Sequence, residues 1–110
     1  MTKKLLKRDV AKRLKALGAG WELVHDDSAL SKTFVFDNFL DAFMFVTRLG
    51  IHAEVLKHYP VITLHKNTVH ISITTASSAT VTLADFSLAE RAVHIVALST
   101  VRKEERLRRK

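Results

Sequence analysis

The 110-residue chain is predicted to be an α+β protein: a four-stranded antiparallel sheet with three helices on one face, in the order α-β-β-α-β-β-α. Three observations predict this. Apolar residues recur at helical spacing in three separate segments. Between those segments lie two pairs of short β-branched or aromatic runs, each pair divided by a polar turn. The length suits one core, since by surface scaling such a chain buries roughly 12,000 of about 18,000 Å² on folding and leaves about 6,000 Å² exposed. Residues 1–110 are therefore read as a single domain with basic ends.

The first helix rests on Leu6, Val10, Leu14 and Leu17, spaced on one face among lysines and arginines, with Gly18 and Gly20 as stop signals. Trp21–His25 and Thr33–Phe36 form a hairpin about the turn cluster His25, Asp26, Asp27 and Ser28. Asp37 offers an N-cap oxygen to a second helix over Asn38–Lys57, with Phe39, Phe43, Val46, Leu49 and Leu56 on one side. Gly50 inside it costs about 1 kcal/mol relative to alanine, which points to a close helix contact there. Pro60 ends the helix near His58 and Tyr59. A second hairpin turns at Asn67-Thr68, setting Ile62 and Leu64 opposite Ile73 and Ile71. This puts Thr63, His65, His70, Ser72 and Thr74 on the other, polar face. Thr82 and Asp85 form a capping box for a last helix running to Val101. Its apolar residues Phe86, Leu88, Ala89, Ala92, Val93, Ile95, Val96 and Leu98 are too many for one narrow stripe, so a second surface is expected to cover them.

Composition excludes several function classes. The hydrophobic fraction of 47% and charged fraction of 26% are ordinary for a globular chain. Cysteine is absent, which rules out disulfide scaffolds, thiolate metal sites and cysteine nucleophiles. No run is long enough to span a bilayer, and the N-terminus lacks a signal-peptide stretch, so the expected location is cytoplasmic, with no membrane partner. The net charge of +7 is concentrated at the ends, +6 in residues 1–18 and +4 in residues 102–110. Lys/Arg are not interleaved with aromatics, so nucleic acid is not the expected partner. Arg106, Arg108 and Arg109 are instead the candidate docking residues for a protein with an acidic surface, against the plainer reading of a solvated helix end.

Several motifs resemble those of the pterin-4a-carbinolamine dehydratase family. Gly20-Trp21 resembles the Gly-Trp that ends the family's first helix. The stretch from Phe34 through Phe36, Phe39 and Ala42 to Phe45 resembles F-x-F-x-x-F-x-x-A-x-x-F. Ala53-Glu54, followed by His58-Tyr59-Pro60, resembles the signature in which Ala-Glu leads to His-His-Pro. Val69–Thr75 resembles the strand that ends in Thr-His, and Thr82-x-x-Asp85 resembles the start of the last helix.

The resemblance implies dehydration of a tetrahydropterin carbinolamine by three histidines, with no metal or cofactor. Histidine suits the work because it donates and accepts protons near neutral pH. Here only His58 stands at a family histidine position; the second is Tyr59 and the third is Ala76. Tyrosine is a poor base at neutral pH, and alanine can move no proton. Val61 also replaces the acidic residue that commonly follows the family's proline. His70 lies six strand residues from Ala76, roughly 20 Å away, and cannot substitute for it. His65 and His70 are expected as cross-strand neighbours without enough further ligands for a metal site.

The resulting expectation is a catalytically degenerate member that binds another protein. Family relatives include dimerisation cofactors of a transcription factor and RuBisCO assembly factors, the latter commonly lacking the full histidine set, so RuBisCO assembly, in carboxysome association, is the specific function implied. The alternative is a 4a-hydroxytetrahydropterin dehydratase, a hydro-lyase, with an altered site of His58 and Tyr59 that still admits a pterin. A purely structural role for His58, ending the helix, stands beside both. A homodimer or tetramer is expected, as in the family, through sheet extension and helix packing.

Overall fold

A computed structural model describes residues 5–108, with side chains as far as Ser99. The elements follow the expected order: α1 (Lys7–Leu17), β1 (Glu22–Val24), β2 (Ala29–Val35), α2 (Phe39–Leu56), β3 (Val61–His65), β4 (Thr68–Thr74) and α3 (Leu83–Arg108). The four strands form one antiparallel sheet in the order β1-β2-β4-β3. Its core face presents Leu30 and Phe34 from β2 with Val69, Ile71 and Ile73 from β4, and all three helices pack there through residues such as Val10, Leu49 and Phe86. The opposite face carries no helix; Ser31, Thr33, Thr63, His70 and Ser72 project from it, with Val35 and Val61 exposed at strand ends on the same face.

Local chemistry explains the element ends. Gly18 and Gly20 sit at φ 100° and 90°, conformations that favour glycine, and close α1 as expected. Asn38, not Asp37, caps α2: its side chain accepts from the Asp41 N–H at 2.8 Å. Either residue type suits a cap, and the chain's path out of β2 decides between them. α2 runs unbroken through Gly50, but the expected contact is not within the chain, because a Cβ there would meet nothing within 4 Å. Lys57 takes a left-handed turn, φ 54°, and ends the helix before Pro60.

Two further expectations change, besides β2, which begins at Ala29 rather than Thr33. The second hairpin turns at Lys66-Asn67, so Ile62 faces Ile71 and Leu64 faces Val69. The expected pairing was two residues out of step, which preserves the faces because side chains alternate with period two. Asn67 ties this turn to the end of β2: its backbone C=O accepts from the Phe36 N–H at 2.8 Å while its side-chain amide donates to the Phe36 carbonyl at 2.8 Å. His65 is therefore opposite Thr68, and His70 opposite Thr63, rather than opposite each other.

The second change concerns α3. Phe86, Leu88, Ala89 and Ala92 are fully buried and Ile95 nearly so, covered within the chain itself, and among the eight apolar residues only Leu98 is markedly exposed. The uncovered apolar surface lies on α2. Phe39, Leu40, Phe43, Met44, Ile51 and Val55 are 40–69% exposed while Ala42, Phe45, Leu49 and Ala53 on the other side are buried. The folded chain exposes 7605 Å², above the roughly 6,000 Å² expected for a compact chain of this size, and its extents of 49 × 24 × 23 Å reflect the long α3.

Candidate functional site

His58 and Asp85 are brought together at one end of the sheet. The left-handed turn at Lys57 carries His58 off α2, where its backbone N–H still reaches the Ala53 carbonyl at 3.0 Å. Asp85 lies in the first turn of α3, fully buried. His58 Nε2 donates to Asp85 Oδ1 at 2.6 Å, with the His58 side chain 14% exposed. The carboxylate also accepts from the Thr82 N–H at 2.8 Å, half of the expected capping box. The Thr82 hydroxyl turns instead to Thr75 Oγ1 at 2.6 Å, and Thr75 donates on to the carboxylate at 3.0 Å. A carboxylate can only accept, so this arrangement places the proton of neutral His58 on Nε2 and leaves Nδ1 as the basic nitrogen.

Tyr59 is exposed, and its hydroxyl donates to Glu54 Oε2. Glu54 also pairs with Lys57 Nζ at 3.6 Å. The hydrogen bond to the carboxylate, followed by partial desolvation and the charge of Glu54, raises the Tyr59 pKa above 10.0. Tyr59 therefore stays protonated at neutral pH and serves as a donor, not a base. Ala76 is exposed in the turn after β4 and adds no polar group. The site thus holds one oriented base and one phenol. Among the described residues no cluster of three His, Asp or Glu side chains could hold a metal ion.

The sequence located His58, Tyr59 and Ala76 but treated Asp85 as a helix cap alone. Its second role, anchoring His58, requires the ends of α2 and α3 to meet, and the only local sign was the Thr82-x-x-Asp85 spacing. His70 is on the helix-free face, away from this network, bonded to Ser31 and Thr33. Arg106 and Arg108 fall in the last turns of α3, where the backbone alone is described, and Arg109 lies outside the described residues. No helix among the described residues is long and apolar enough to cross a membrane.

Comparison with known proteins gives consistent matches. The family model for pterin 4 alpha carbinolamine dehydratase matches residues 3–95. A protein of Roseobacter denitrificans is 40% identical over 83% of this chain and 94% of its own length. One of Mesorhizobium japonicum is 33% identical over 86% and 96%. Both carry the name "Putative pterin-4-alpha-carbinolamine dehydratase". Among solved structures, a transcriptional coactivator/pterin dehydratase from Brucella melitensis superposes with a TM-score of 0.78 at 30% identity, over 84% of this chain and 98% of that one. A pterin dehydratase-like protein identified as a RuBisCO assembly factor in the alpha-carboxysome superposes at 0.60 with 20% identity, over 71% and 90%, a likeness of fold.

Proposed function

The chain belongs to the pterin 4 alpha carbinolamine dehydratase family, and we propose that within it this protein acts by binding another protein, as an assembly factor, with RuBisCO assembly as the specific case. The observation that carries this reading is the outward face of α2. Of its exposed positions, six hold large apolar side chains, Phe39, Leu40, Phe43, Met44, Ile51 and Val55, on a helix whose other side is already buried. A helix apolar on both sides is ordinarily covered on both. The exposed atoms amount to roughly 600 Å², at the upper limit of the largest apolar patch on a typical monomer. Gly50 lies in the same stripe with open space above it, so a partner backbone can approach closely.

The site supports the same reading. Of three acid–base positions one retains a histidine, and each such group typically contributes 10²–10⁴ in rate. A second reading, dehydration through His58 and Tyr59, is favoured by the intact His58–Asp85 pair, which keeps a base oriented.

One comparison separates the two. Carbinolamine dehydration is assayed beside a three-histidine relative, and RuBisCO holoenzyme yield is measured with the parent protein and with Phe43→Asp and Ile51→Asp. The assembly reading expects dehydration at least about 10²-fold slower than the relative, and a yield that rises with the parent and not with either variant. Dehydration within about tenfold of the relative, or no effect on RuBisCO yield, overturns it.

A further inference from the structure

The helix-free face of the sheet carries a second cluster of reactive side chains. Ser31 and Thr33 on β2 and His70 on β4 project from this face, Thr33 directly opposite His70 and Ser31 opposite Ser72. Ser31 Oγ lies 3.0 Å from His70 Nε2, and Thr33 Oγ1 lies 2.9 Å from His70 Nδ1. If Thr33 accepts from Nδ1–H, the Nε2 lone pair faces the Ser31 hydroxyl, the relation of a base to a nucleophile with a third group orienting the base. Ser31 is 7% exposed, and the cluster opens into a depression of about 440 Å³ lined also by Ser72, Glu22 and His25. That volume accommodates a small organic molecule.

The wall beside it is built at a conformational cost. His25, Asp26 and Asp27 have φ of 54°, 55° and 64°, three successive non-glycine residues in the left-handed region. Such conformations persist where surrounding structure imposes them, and they gather at functional sites. Here the Val81 N–H bonds the Asp27 carbonyl at 3.0 Å and the Ser28 hydroxyl bonds the His25 carbonyl at 2.7 Å, holding His25 at the depression.

We propose that Ser31 is an acyl-accepting nucleophile, with His70 as its general base and Thr33 as the positioning residue, acting on small activated carboxylic esters. In the first step Ser31 Oγ bonds to the acyl carbon while its proton passes to His70 Nε2. The tetrahedral adduct then expels the alcohol oxygen, which takes that proton, and Ser31 is left as an ester. Water attacks the ester with His70 again accepting the proton, releasing the acid and restoring Ser31. The Ser72 hydroxyl, beside Ser31 across the ladder, is the donor for the carbonyl oxygen as it gains charge.

The test uses the full chain with p-nitrophenyl acetate and, separately, an aryl fluorophosphonate, followed by intact mass and peptide mapping. One adduct per chain is expected, on Ser31, absent in Ser31→Ala and formed at least about 10²-fold more slowly in His70→Gln. Thr33→Val should alter the pH profile of labelling, and Thr33→Ser should restore it. The parent alone gives a second measurement that needs no variant: its labelling rate should fall on acidification, because a protonated His70 cannot accept the Ser31 proton. No adduct, an adduct elsewhere, a pH-independent rate, or unchanged labelling in His70→Gln overturns the proposal and leaves the three side chains as a cross-strand tie.

Discussion

Replacing Asp85 with alanine tests the account of the His58 network most directly. The carboxylate is fully buried and accepts from the Thr82 N–H, Thr75 and His58. Its removal deletes the only side-chain acceptor of the Thr82 N–H at the start of α3, a loss that costs about 1 kcal/mol. It also leaves His58 Nε2–H without its acceptor and the Thr75 hydroxyl with Thr82 Oγ1 as its remaining partner at 2.6 Å, and each donor that water cannot reach costs about 1–3 kcal/mol. Both are partly buried, so solvent recovers some of that cost. The expected loss is about 3–4 kcal/mol, within the range for breaking a buried hydrogen-bonded pair. For a domain of this size it corresponds to a fall of at least about 12 °C in Tm. Urea unfolding followed by the fluorescence of Trp21, the sole tryptophan and a buried one, reads it without interference. Asp85→Asn, which keeps one acceptor oxygen, should lose about half as much. A loss below about 1 kcal/mol for Asp85→Ala would show that the network is dispensable and refute the reasoning.

Three further outcomes are expected. Tyr59 is the sole tyrosine, so ultraviolet titration of tyrosinate reads it alone, with a midpoint above 10.0 that falls in Glu54→Gln. Because the folded pKa is raised, the neutral phenol favours the fold below the unfolded value, and that contribution is lost as pH rises through the folded one; a midpoint unmoved by Glu54→Gln contradicts this. We propose that the free part of the β2 edge, where ladder alternation turns Thr33 and Val35 backbone groups away from β4 beyond the end of β1, joins copies of the chain. Sedimentation should then show a dimer or tetramer, and a 12.4 kDa monomer at micromolar concentration would contradict it. Reversing Arg106, Arg108 and Arg109 to glutamate should slow association with an acidic partner, with a difference that shrinks as the Debye length falls from about 10 Å at 0.1 M to about 3 Å at 1 M salt; unchanged affinity identifies an ordinary solvated helix end.

Much of the architecture is legible because it depends on local periodicity. The order of elements, the stop at Pro60, the turn at His25–Ser28 and the division of β3 and β4 into an apolar and a polar face all follow from spacing that neighbouring residues set among themselves. His58, Tyr59 and Ala76 were grouped through the resemblance to the family's motifs; in the fold His58 bonds Asp85, Tyr59 bonds Glu54 and Ala76 is exposed in the turn after β4.

Other features depend on contacts between distant residues, and spacing carries no information about those. A hairpin shifted by two residues keeps every side chain on its face, so alternation could not choose between Asn67-Thr68 and Lys66-Asn67; the folded chain takes the latter, with Lys66 at φ 55° and Asn67 tied to Phe36, thirty-one residues away in sequence. Strand β2 begins at Ala29 because Ala29, Leu30 and Ser31 are paired on both sides, by β1 and by β4. α3 is apolar around much of its surface and is covered within the chain, while α2, similarly apolar, is not. Composition determines that a helix needs cover, but which neighbours supply it is settled only when the sheet and helices pack. The partners of His58 and of His70 were hidden for the same reason, since Asp85 is twenty-seven residues from His58 and Ser31 thirty-nine from His70.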